Sequence, residues 1–405
     1  MTTPPTTPPI PPDTTTTTDT GADTGISTRA GGLPPTSRFA AAPSDLPADQ
    51  AAELDALVGR LPAGWSLVRP DGTDPAVVAA LTSLLREHEE HGRGWPGADE
   101  SVVAAEVGPD AERTRANVVL LDPDGAVRAW GSVHDRAGGR MLFVHVVARD
   151  LVTEVADAAS AVLITWAVAQ AVTVGRARGI AVQQIDTGAF AADDRQHAWL
   201  GGSGFALART WWQMGRAAHA SDVDLVPDPA SWERRGVRFR LVRREGDGMP
   251  HAGDLRDVHA VLEGAFADHF NSWEESFDEF LHRLREDPGH RWDHWWLAEL
   301  LDDDATDGHA APRPVGALVA TVSGSGPSPD GSYVSYLGVL EAARGRGVAK
   351  GLLHSVVADA VARGRDRVAL EVDADSPTGA HGLYRSLGWE TRYTTQSWHR
   401  DVAVS

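Results

Sequence analysis

The residues best suited to chemistry lie in the stretch RGRGVAK at 344–350. It follows the apolar run YLGVL and precedes a helical pattern that includes Leu352 and Val356. Glycine lets backbone N–H groups approach a ligand without interference from a Cβ. A helix N-terminus adds unpaired N–H donors and the positive end of a dipole. The stretch therefore predicts an anion site, fitted to a pyrophosphate, formed by Arg344, Gly345, Arg346, Gly347, Val348, Ala349 and Lys350.

The glycine spacing excludes other nucleotide-binding loops. The sequence has no GxxxxGK[ST] loop, and no strand-like run leads into GxGxxG, which are the fingerprints of P-loop and dinucleotide-binding proteins. RARGIA at 176–181 shares the pattern Arg-x-x-Gly-x-Ala with residues 344–349. It lies at the end of a helical stretch and before a strand, so its context is reversed and we interpret it as a chance match.

Composition narrows the function further. The chain has 405 residues, more than one core usually supports, which predicts two domains. It has no cysteine, which excludes disulfides, thiolate metal sites and an acyl-cysteine intermediate. The net charge is −20 and Lys350 is the only lysine, so we expect no nucleic-acid partner. The 16 histidines show no zinc-ligand spacing, so we expect no metal.

Residues 1–60 are predicted to be a disordered tail, because they are rich in proline and threonine and poor in apolar residues. They show no secretory signal, and we expect a cytoplasmic protein. The uncharged segment 158–175 is just long enough to span a membrane. It is rich in alanine and holds Ser160, Thr165 and Gln170, so we interpret it as a buried helix and expect no membrane partner.

The same order of elements occurs twice after Trp65. HAWLGGSGFALARTWWQ at 197–213 aligns without gaps with HGLYRSLGWETRYTTQS at 381–397 through a histidine, a glycine, the aromatic that follows it and a threonine. Both copies predict a strand, helices, two strands, a further strand, a helix, a strand, a helix and a last strand. The strand-like runs are WSLVRP, NVVLLD, AVRAWGSV, MLFVHVV and IAVQQID, then VRFRLV, HWWLAEL, PVGALVATV, YVSYLGV and RVALEVD. We expect domains at 61–232 and 236–405, with a linker near Asp228–Arg235.

Two motifs of the second copy, in the expected order, resemble those of the GNAT superfamily of acyl-coenzyme A-dependent N-acetyltransferases. The first is the 344–349 loop between a strand and a helix, and the second is GLYRSLGWE at 382–390. The resemblance covers 236–405 and, more faintly, 62–220. It implies an α/β fold of two tandem GNAT-like domains, each a splayed mixed sheet flanked by helices, with acetyl-coenzyme A as the acyl donor.

The resemblance also implies roles for particular residues. The donor would lie where strands 333–340 and 367–374 splay apart, with a distortion at Gly338. Pantetheine would pair with Leu337 and Val339, and the Val339 N–H would polarise the thioester carbonyl. Tyr384, with the ordinary phenol pKa of ~10, would give its proton to the departing thiolate. Ser376 stands where relatives often place an asparagine that contacts pantetheine.

The general base is less marked in the sequence. Many relatives have a glutamate on the first splayed strand, but YVSYLGV has none. Glu371 and Asp373 alternate onto one face of the second strand, and we name Glu371 as the base; a solvated strand face is the alternative. Glu274 and Glu275 are candidates for the border of the acceptor pocket, or for an ordinary helix surface.

The first copy lacks this machinery. Its turn, VVARDLVTEVADAAS, has no glycine and adds Asp150, Glu154 and Asp157, and negative charge repels a pyrophosphate. Leu200 replaces the tyrosine. We therefore expect a degenerate domain that supports the active one. A tandem enzyme with an inactive first half distantly resembles mycothiol synthase, although Tyr333 stands where that enzyme has a glutamate.

We therefore expect an N-acetyltransferase that moves acetyl from acetyl-coenzyme A to a primary amine of a small molecule or peptide, by direct attack in a ternary complex. A mycothiol synthase-like enzyme, an acyl-coenzyme A sensor in which Tyr384 is only structural, and a scaffold that recruits a partner through its tail are the alternatives. The sequence leaves the acceptor, the acyl length and the oligomeric state open.

Overall fold

One mixed sheet of thirteen strands runs through the chain. The structure is a computed structural model and describes residues 39–41, 46, 48–136, 139–246, 248–266, 276–285, 290–301, 312–323, 330–375 and 379–404. The predictions for Ser376, for Glu274 and Glu275 and for most of the tail lie outside the described residues.

The first half of the chain forms seven strands and five helices within the described residues. The strands are β1 (Phe39–Ala41), β2 (Ser66–Pro70), β3 (Arg115–Leu121), β4 (Val127–Arg136), β5 (Arg140–Val147), β6 (Val182–Phe190) and β7 (Ala206–Ala217). The helices are α1 (Ala48–Val58), α2 (Pro75–Arg93), α3 (Glu100–Val107), α4 (Thr153–Arg178) and α5 (Asp194–Gly202).

The second half repeats this plan after a short linker helix, α6 (Pro229–Glu233). Its strands are β8 (Val237–Leu241), β9 (His290–Leu300), β10 (Arg313–Ser323), β11 (Gly331–Val339), β12 (Arg367–Asp373) and β13 (Glu390–Ala403). Its helices are α7 (Ala252–Phe266), α8 (Phe277–Arg285), α9 (Val348–Ala362) and α10 (Ala380–Ser386). All ten predicted strand-like runs form strands.

The repeated blocks fold alike down to single hydrogen bonds. After α5 the Phe205 N–H donates to the Leu200 carbonyl at 3.0 Å, and after α10 the Trp389 N–H donates to the Tyr384 carbonyl at 3.1 Å. The intervening glycines, 204 and 388, have φ of 79° and 82°, which suits glycine because other residues are strained there. The repeat predicted from sequence is therefore a structural repeat.

The two halves exchange their last strands. The sheet order is β1-β2-β3-β4-β5-β6-β13-β7-β12-β11-β10-β9-β8. The last strand of the first half, β7, pairs with β12, and the last strand of the second half, β13, pairs with β6. β7 and β13 also pair with each other, antiparallel, and residues 38–405 form one compact unit. The predicted domain limits stay a prediction, because the sheet continues across them.

Helix α1 lies within the segment that the sequence analysis assigns to the disordered tail. Leu54 of α1 is 5% exposed and joins the core beneath α4, with Leu57 and Val58 packed against it. The Pro/Thr-rich composition of the preceding residues hides this short apolar pattern. The described order therefore begins before residue 60, and the predicted tail is too long at that end.

Helix α4 contains the uncharged segment. Among the described helices it is the one long and apolar enough to cross a membrane, but 67% of its most apolar window is buried. Leu163 and Trp166 are fully buried in a core with β3–β6. The helix therefore packs as a core element, as predicted.

In both halves one parallel strand pair opens into a gap. The β11–β12 ladder pairs Ser332, Tyr333 and Val334 with residues 368–370 and ends there, and the β5–β6 ladder ends at Phe143 and Thr187. The predicted distortion of β11 lies at Ser335, where the register with β10 shifts, and not at Gly338. Glycine is required at 338 because a Cβ there would lie 2.9 Å from the Cβ of Ala265 on α7.

The strand exchange predicts that the protein unfolds as one cooperative unit, because each half's part of the single sheet pairs with the last strand of the other half. Leu163→Ala in the first core and Leu352→Ala in the second each remove a fully buried side chain and should each cost about 2–5 kcal/mol. Calorimetry should show a single transition that either substitution lowers. Two transitions, of which each substitution lowers only one, would contradict this prediction.

Candidate active site

The predicted anion site is the turn between β11 and α9. Gly345 and Gly347 have φ of 76° and 80°, a left-handed conformation that strains other residues. A Cβ on Gly345 would meet no atom within 4 Å, so the turn presents bare backbone. Gly347 caps α9 without a side-chain hydrogen bond, and the ladder starts with the Gly351 N–H donating to its carbonyl at 3.0 Å. The amides of the first turn precede this ladder, which is the arrangement that binds anions.

Four cations border this turn. The side chains of Arg344, Arg346 and Lys350 are exposed. Arg235 of the linker donates from Nη2 to the carbonyl of Arg346 at 3.4 Å, and its guanidinium lies 4.2 Å from the centre of the Trp232 ring. Their combined charge adds to the helix dipole and favours an anion at the turn.

The linker also supports the turn from below. A Cβ on Gly347 would lie 3.2 Å from Cη2 of Trp232, and the Trp232 ring packs edge-on against Phe239 at 4.9 Å. From the sequence this linker is predicted only as a domain boundary, and its contact with the turn is not predicted. The aromatic and arginine of WERR were the available signal.

Leu337 and Val339 lie beyond the last β11–β12 pair. One edge of this part of β11 pairs with β10, Leu337 opposite Leu318 and Val339 opposite Gly316. The other edge has no strand partner within the described residues. Backbone polar groups on that edge are available to a ligand that carries amides of its own.

Tyr384 lies on α10 and is 8% exposed. It belongs to the same core as Val348 and Leu352 of α9, so one core holds both the turn and the tyrosine. Its hydroxyl makes no hydrogen bond to another described residue. Burial raises the pKa of Tyr384 to about 12. The ordinary pKa assumed in the sequence analysis is therefore too low, and the phenol is a weaker acid than expected.

Glu371 lies on β12 just beyond the point where β11 and β12 part. Its side chain is exposed, yet burial raises its pKa and the hydrogen bond from Gln213 opposes this effect. A carboxyl group in a cleft is expected to show both, because solvent reaches it while the surrounding protein removes part of its hydration. Gln213 Nε2 donates to Glu371 Oε2 at 2.7 Å. Asp373 is more constrained, because its carboxylate lies 3.4 Å from Arg209 Nε and accepts from the Asp375 N–H at 2.9 Å.

Tyr333 of β11 lies close to this carboxylate. Burial, then the charge of Glu371, then Tyr393 and Tyr336 raise the pKa of Tyr333 well above its ordinary value. Tyr333 and Tyr336 are three apart, and the bulge at Ser335 puts both on the same face of β11. The chain has only four tyrosines, three of them here and the fourth Tyr384. Of the four, only Tyr384 is predicted from the sequence to act in the reaction.

In the first half, side chains of α5 fill the corresponding gap. Gln196 Nε2 donates to the carbonyl of His145 on β5 at 3.1 Å and to that of Gly188 on β6 at 3.4 Å. Arg195 donates to the carbonyls of Val147 and Ala148 at 2.9 and 3.3 Å. These carbonyls lie beyond the last β5–β6 pair, so the protein itself occupies the backbone groups that the second half leaves open.

Charge at the head of α4 also differs from that at the head of α9. Arg149 pairs with the buried Asp193 at 2.8 Å, and Asp150 pairs with Arg128 at 2.5 Å. The side chain of Val152, the residue before the helix, forms no cap. Cations here are neutralised by carboxylates, whereas those at the head of α9 are exposed.

His145 lies inside the filled gap and is 3% exposed. It stacks on Phe143 and contacts Trp199 edge-on, both at 5.5 Å. Neither ring nitrogen has a hydrogen-bond partner among the residues that the structure describes. Burial lowers the pKa of His145 to about 3, and burial also lowers the pKa of His88 to about 4.

The structure thus brings together most of the residues predicted from sequence. The turn 344–350 follows β11, Leu337 and Val339 lie on the open edge of that strand, and Glu371 lies just beyond the last β11–β12 pair. Tyr384 belongs to the core cluster against which Leu337 and Val339 pack. Ser376 lies outside the described residues. Among the described residues, no cluster of three or more histidine, aspartate and glutamate side chains could hold a metal.

Comparisons with known proteins agree with this site. Residues 260–389 match the family model for "Acetyltransferase (GNAT) family", from within α7 to the turn before β13. A GCN5-related N-acetyltransferase from Sphaerobacter thermophilus shares the fold with a TM-score of 0.62 and 21% identity, over 85% of this chain and 97% of that chain. No curated protein matches the sequence significantly.

Two further structures share the fold. A tandem GNAT protein from the clavulanic acid biosynthesis pathway has a TM-score of 0.56 and 12% identity, over 84% of this chain and 99% of that chain. A GCN5-related glucosamine N-acetyltransferase region of a fungal multi-domain β-N-acetylglucosaminidase has a TM-score of 0.55 and 14% identity, over 84% of this chain and 38% of that chain.

The splayed sheet, the glycine turn and the matched family model define an acyltransferase of mixed α/β fold. The second half of the chain, residues 260–389, carries a domain that matches the GNAT acetyltransferase family.

The neutral His145 predicts that stability falls in mild acid. Its pKa in the folded protein lies below the ordinary value near 6.5, so the unfolded chain binds the extra proton. Stability is therefore full above about pH 6.5 and falls as the pH drops toward the folded value. Between pH 6.5 and 5 this histidine should cost about 2 kcal/mol.

Urea titrations at several pH values should show a shallower loss of stability for His145→Phe than for the unchanged protein. Phenylalanine keeps the stacking on Phe143 and Trp199 but binds no proton. Parallel stability curves for the two proteins would contradict the assignment.

Proposed function

We propose that this enzyme transfers an acetyl group from acetyl-coenzyme A to a primary amine of a small molecule or peptide, by direct attack in a ternary complex. The observation that carries the proposal is the bare-backbone turn at the head of α9, placed at the mouth of the β11–β12 gap. Coenzyme A has both groups that this arrangement would bind: a diphosphate for the turn and an extended pantetheine chain for the gap.

The donor would bind through backbone first. The diphosphate would accept hydrogen bonds from the amides of residues 344–350, with Arg344, Arg346 and Lys350 adding charge. Pantetheine amides would pair with the open edge of β11 at Leu337 and Val339. Ser376 would also contact pantetheine, since it stands where relatives often place an asparagine with that role.

The reaction would then need three proton transfers. Glu371 first takes a proton from the substrate ammonium, directly or through water, because only the neutral amine has a lone pair with which to attack. The amine nitrogen forms a C–N bond to the acetyl carbon while the C–S bond breaks, and the Val339 N–H stabilises the carbonyl oxygen. Tyr384 gives its proton to the departing thiolate, and the second proton that the nitrogen loses as the amide forms returns to the phenolate through water. The same apolar surroundings that raise the pKa of Tyr384 would raise that of the thiol, so the two groups remain matched.

The residues around Glu371 favour an amine as the acyl acceptor. Glu371 lies just beyond the last β11–β12 pair, and Tyr333 lies close enough for the charge of Glu371 to raise its pKa. An ammonium is attracted by a carboxylate and by an aromatic ring. One structural neighbour is described as a glucosamine N-acetyltransferase, which is an example of a small amine acceptor on this fold. We propose that the filled first half binds no coenzyme, and that the protein is cytoplasmic.

Replacement of Gly347 by valine should abolish tight coenzyme binding. A β-branched residue is strained at φ 80°, and its side chain would meet Trp232. Calorimetry with acetyl-coenzyme A should show a Kd at least about tenfold higher, or ~1.4 kcal/mol.

Gly364 provides the matched control for this substitution. It has φ of 72°, a Cβ there would meet no atom within 4 Å, and it follows the other end of α9. Gly364→Val should carry the backbone strain without changing the Kd. Equal Kd values for the two variants would mean that the turn does not bind the coenzyme.

Replacement of Tyr384 by phenylalanine should lower kcat by about 10²–10⁴-fold, the range expected for loss of a general acid. Coenzyme Kd and thermal stability should change little, because the hydroxyl forms no hydrogen bond to the described residues. Thiol release would be measured across a panel of amines, and calorimetry would give the Kd. Turnover equal to that of the unchanged enzyme would remove the acid role and favour a structural tyrosine.

A further inference from the structure

The amide of Gln213 is fixed by contacts on both sides. Its Nε2 donates to Glu371 Oε2 at 2.7 Å and to Thr395 Oγ1 at 3.1 Å. A carbonyl oxygen turned toward Glu371 would repel the carboxylate, so the donor orientation is the one that electrostatics favours. The side chain therefore has one position in which both N–H groups are used.

Strand exchange puts Gln213 beside Glu371. Gln213 belongs to β7, the last strand of the first half, and lies directly opposite Glu371 of β12. On its other side it lies opposite Tyr393 of β13. Without the exchange, β12 would have a different neighbour and Glu371 a different partner.

The other charged or titratable groups near Glu371 do not replace this donor. Tyr333 and Tyr336 lie on β11, Tyr393 on β13, and Asp373 on the same strand. The two arginines of β7 have other partners, since Arg209 pairs with Asp373 and Arg216 with Asp222. Of the groups that shift the ionisation of Glu371, Gln213 alone favours the charged form, against desolvation that disfavours it.

We propose that Gln213 is a positioning residue for the acyl transfer: it keeps the Glu371 carboxylate ionised and oriented toward the gap. The half of the protein with a filled gap thereby completes the catalytic apparatus of the other half. This inference rests on the proposed function, in which Glu371 is the general base.

A purely structural role for Gln213 makes a different prediction. A glutamine that only ties β7, β12 and β13 together would affect stability and leave the ionisation of Glu371 unchanged. Gln213→Met removes both N–H donors and keeps the length of the side chain. Gln396→Met is the matched control, since Gln396 is a half-buried glutamine of the neighbouring strand β13 that lies opposite Thr210 and Ala189.

The direct test titrates Glu371 in the full-length protein labelled with [δ-¹³C]glutamate. The carboxyl signal absent from Glu371→Gln identifies the residue. A hydrogen bond to a charged group of this kind should hold the midpoint down by about one pH unit. We expect that upward shift in Gln213→Met and none in Gln396→Met. Equal midpoints for Gln213→Met and the unchanged protein would overturn the inference.

The kinetic test uses acetyl-coenzyme A with whichever amine of a panel containing glucosamine, spermidine and amino acids gives the fastest thiol release. In Gln213→Met the acidic limb of the kcat/KM profile should move up by the same pH interval, with turnover largely recovered at high pH. Glu371→Gln should lose most turnover and the limb itself.

The two tests separate the inference from the function on which it rests. If Glu371→Gln reduces turnover but the limb of Gln213→Met does not move, the positioning role is wrong and the base stands. If Glu371→Gln keeps full turnover and an unchanged profile, Glu371 is not the base, and the proposed acceptor step and the positioning role are both wrong.

Discussion

The antiparallel pairing of β7 with β13 is the contact on which the rest of this structure depends. Each strand ends one half of the chain and completes the sheet of the other half. Trp211 and Thr395, which occupy the same place in the aligned repeats, pair with each other at its centre. The local two-fold axis that relates the two halves therefore passes between β7 and β13. On one side of this pair β13 continues into β6 of the first half, and on the other side β7 continues into β12 of the second half.

The two halves use one backbone plan for opposite purposes. In both, a parallel pair opens where a helix begins. In the second half the opening is lined by bare backbone and exposed cations. In the first half Gln196 and Arg195 supply the hydrogen bonds that β5 and β6 cannot make to each other. Buried carbonyls need hydrogen-bond partners, so these side chains stabilise the first half without a ligand in its gap.

Local sequence signals predicted the strands, the repeat and the glycine turn correctly. Each of these features is determined by a few neighbouring residues. Alternating apolar residues mark a strand, and glycines with positive φ before a helix start mark the turn. The bulge at Ser335 was missed because its cause is the register with β10, a distant segment. Helix α1 was missed because three apolar residues, Leu54, Leu57 and Val58, follow a long Pro/Thr-rich stretch that dominates the composition.

Strand exchange could not be read from one sequence, and neither could Gln213. The repeat predicts units of six strands with helices between them, but the choice of which neighbour a last strand pairs with depends on tertiary packing between segments more than a hundred residues apart. A search limited to the second half would therefore find Glu371 and Tyr384 and miss the donor that contacts Glu371.

The proposed site, in which Gln213 of the first half contacts Glu371 of the second, also gives a role to a half without its own glycine turn. If the first half only covered an apolar face, many sequences would serve equally well. Here β7 must deliver a donor opposite Glu371 while the Met214 side chain, on the other face of the same strand, packs into the second core. Those two requirements alternate along one strand, because successive side chains point to opposite faces. The strand therefore contributes to both stability and chemistry, and its loss would remove a wall of the core together with the partner of the proposed base.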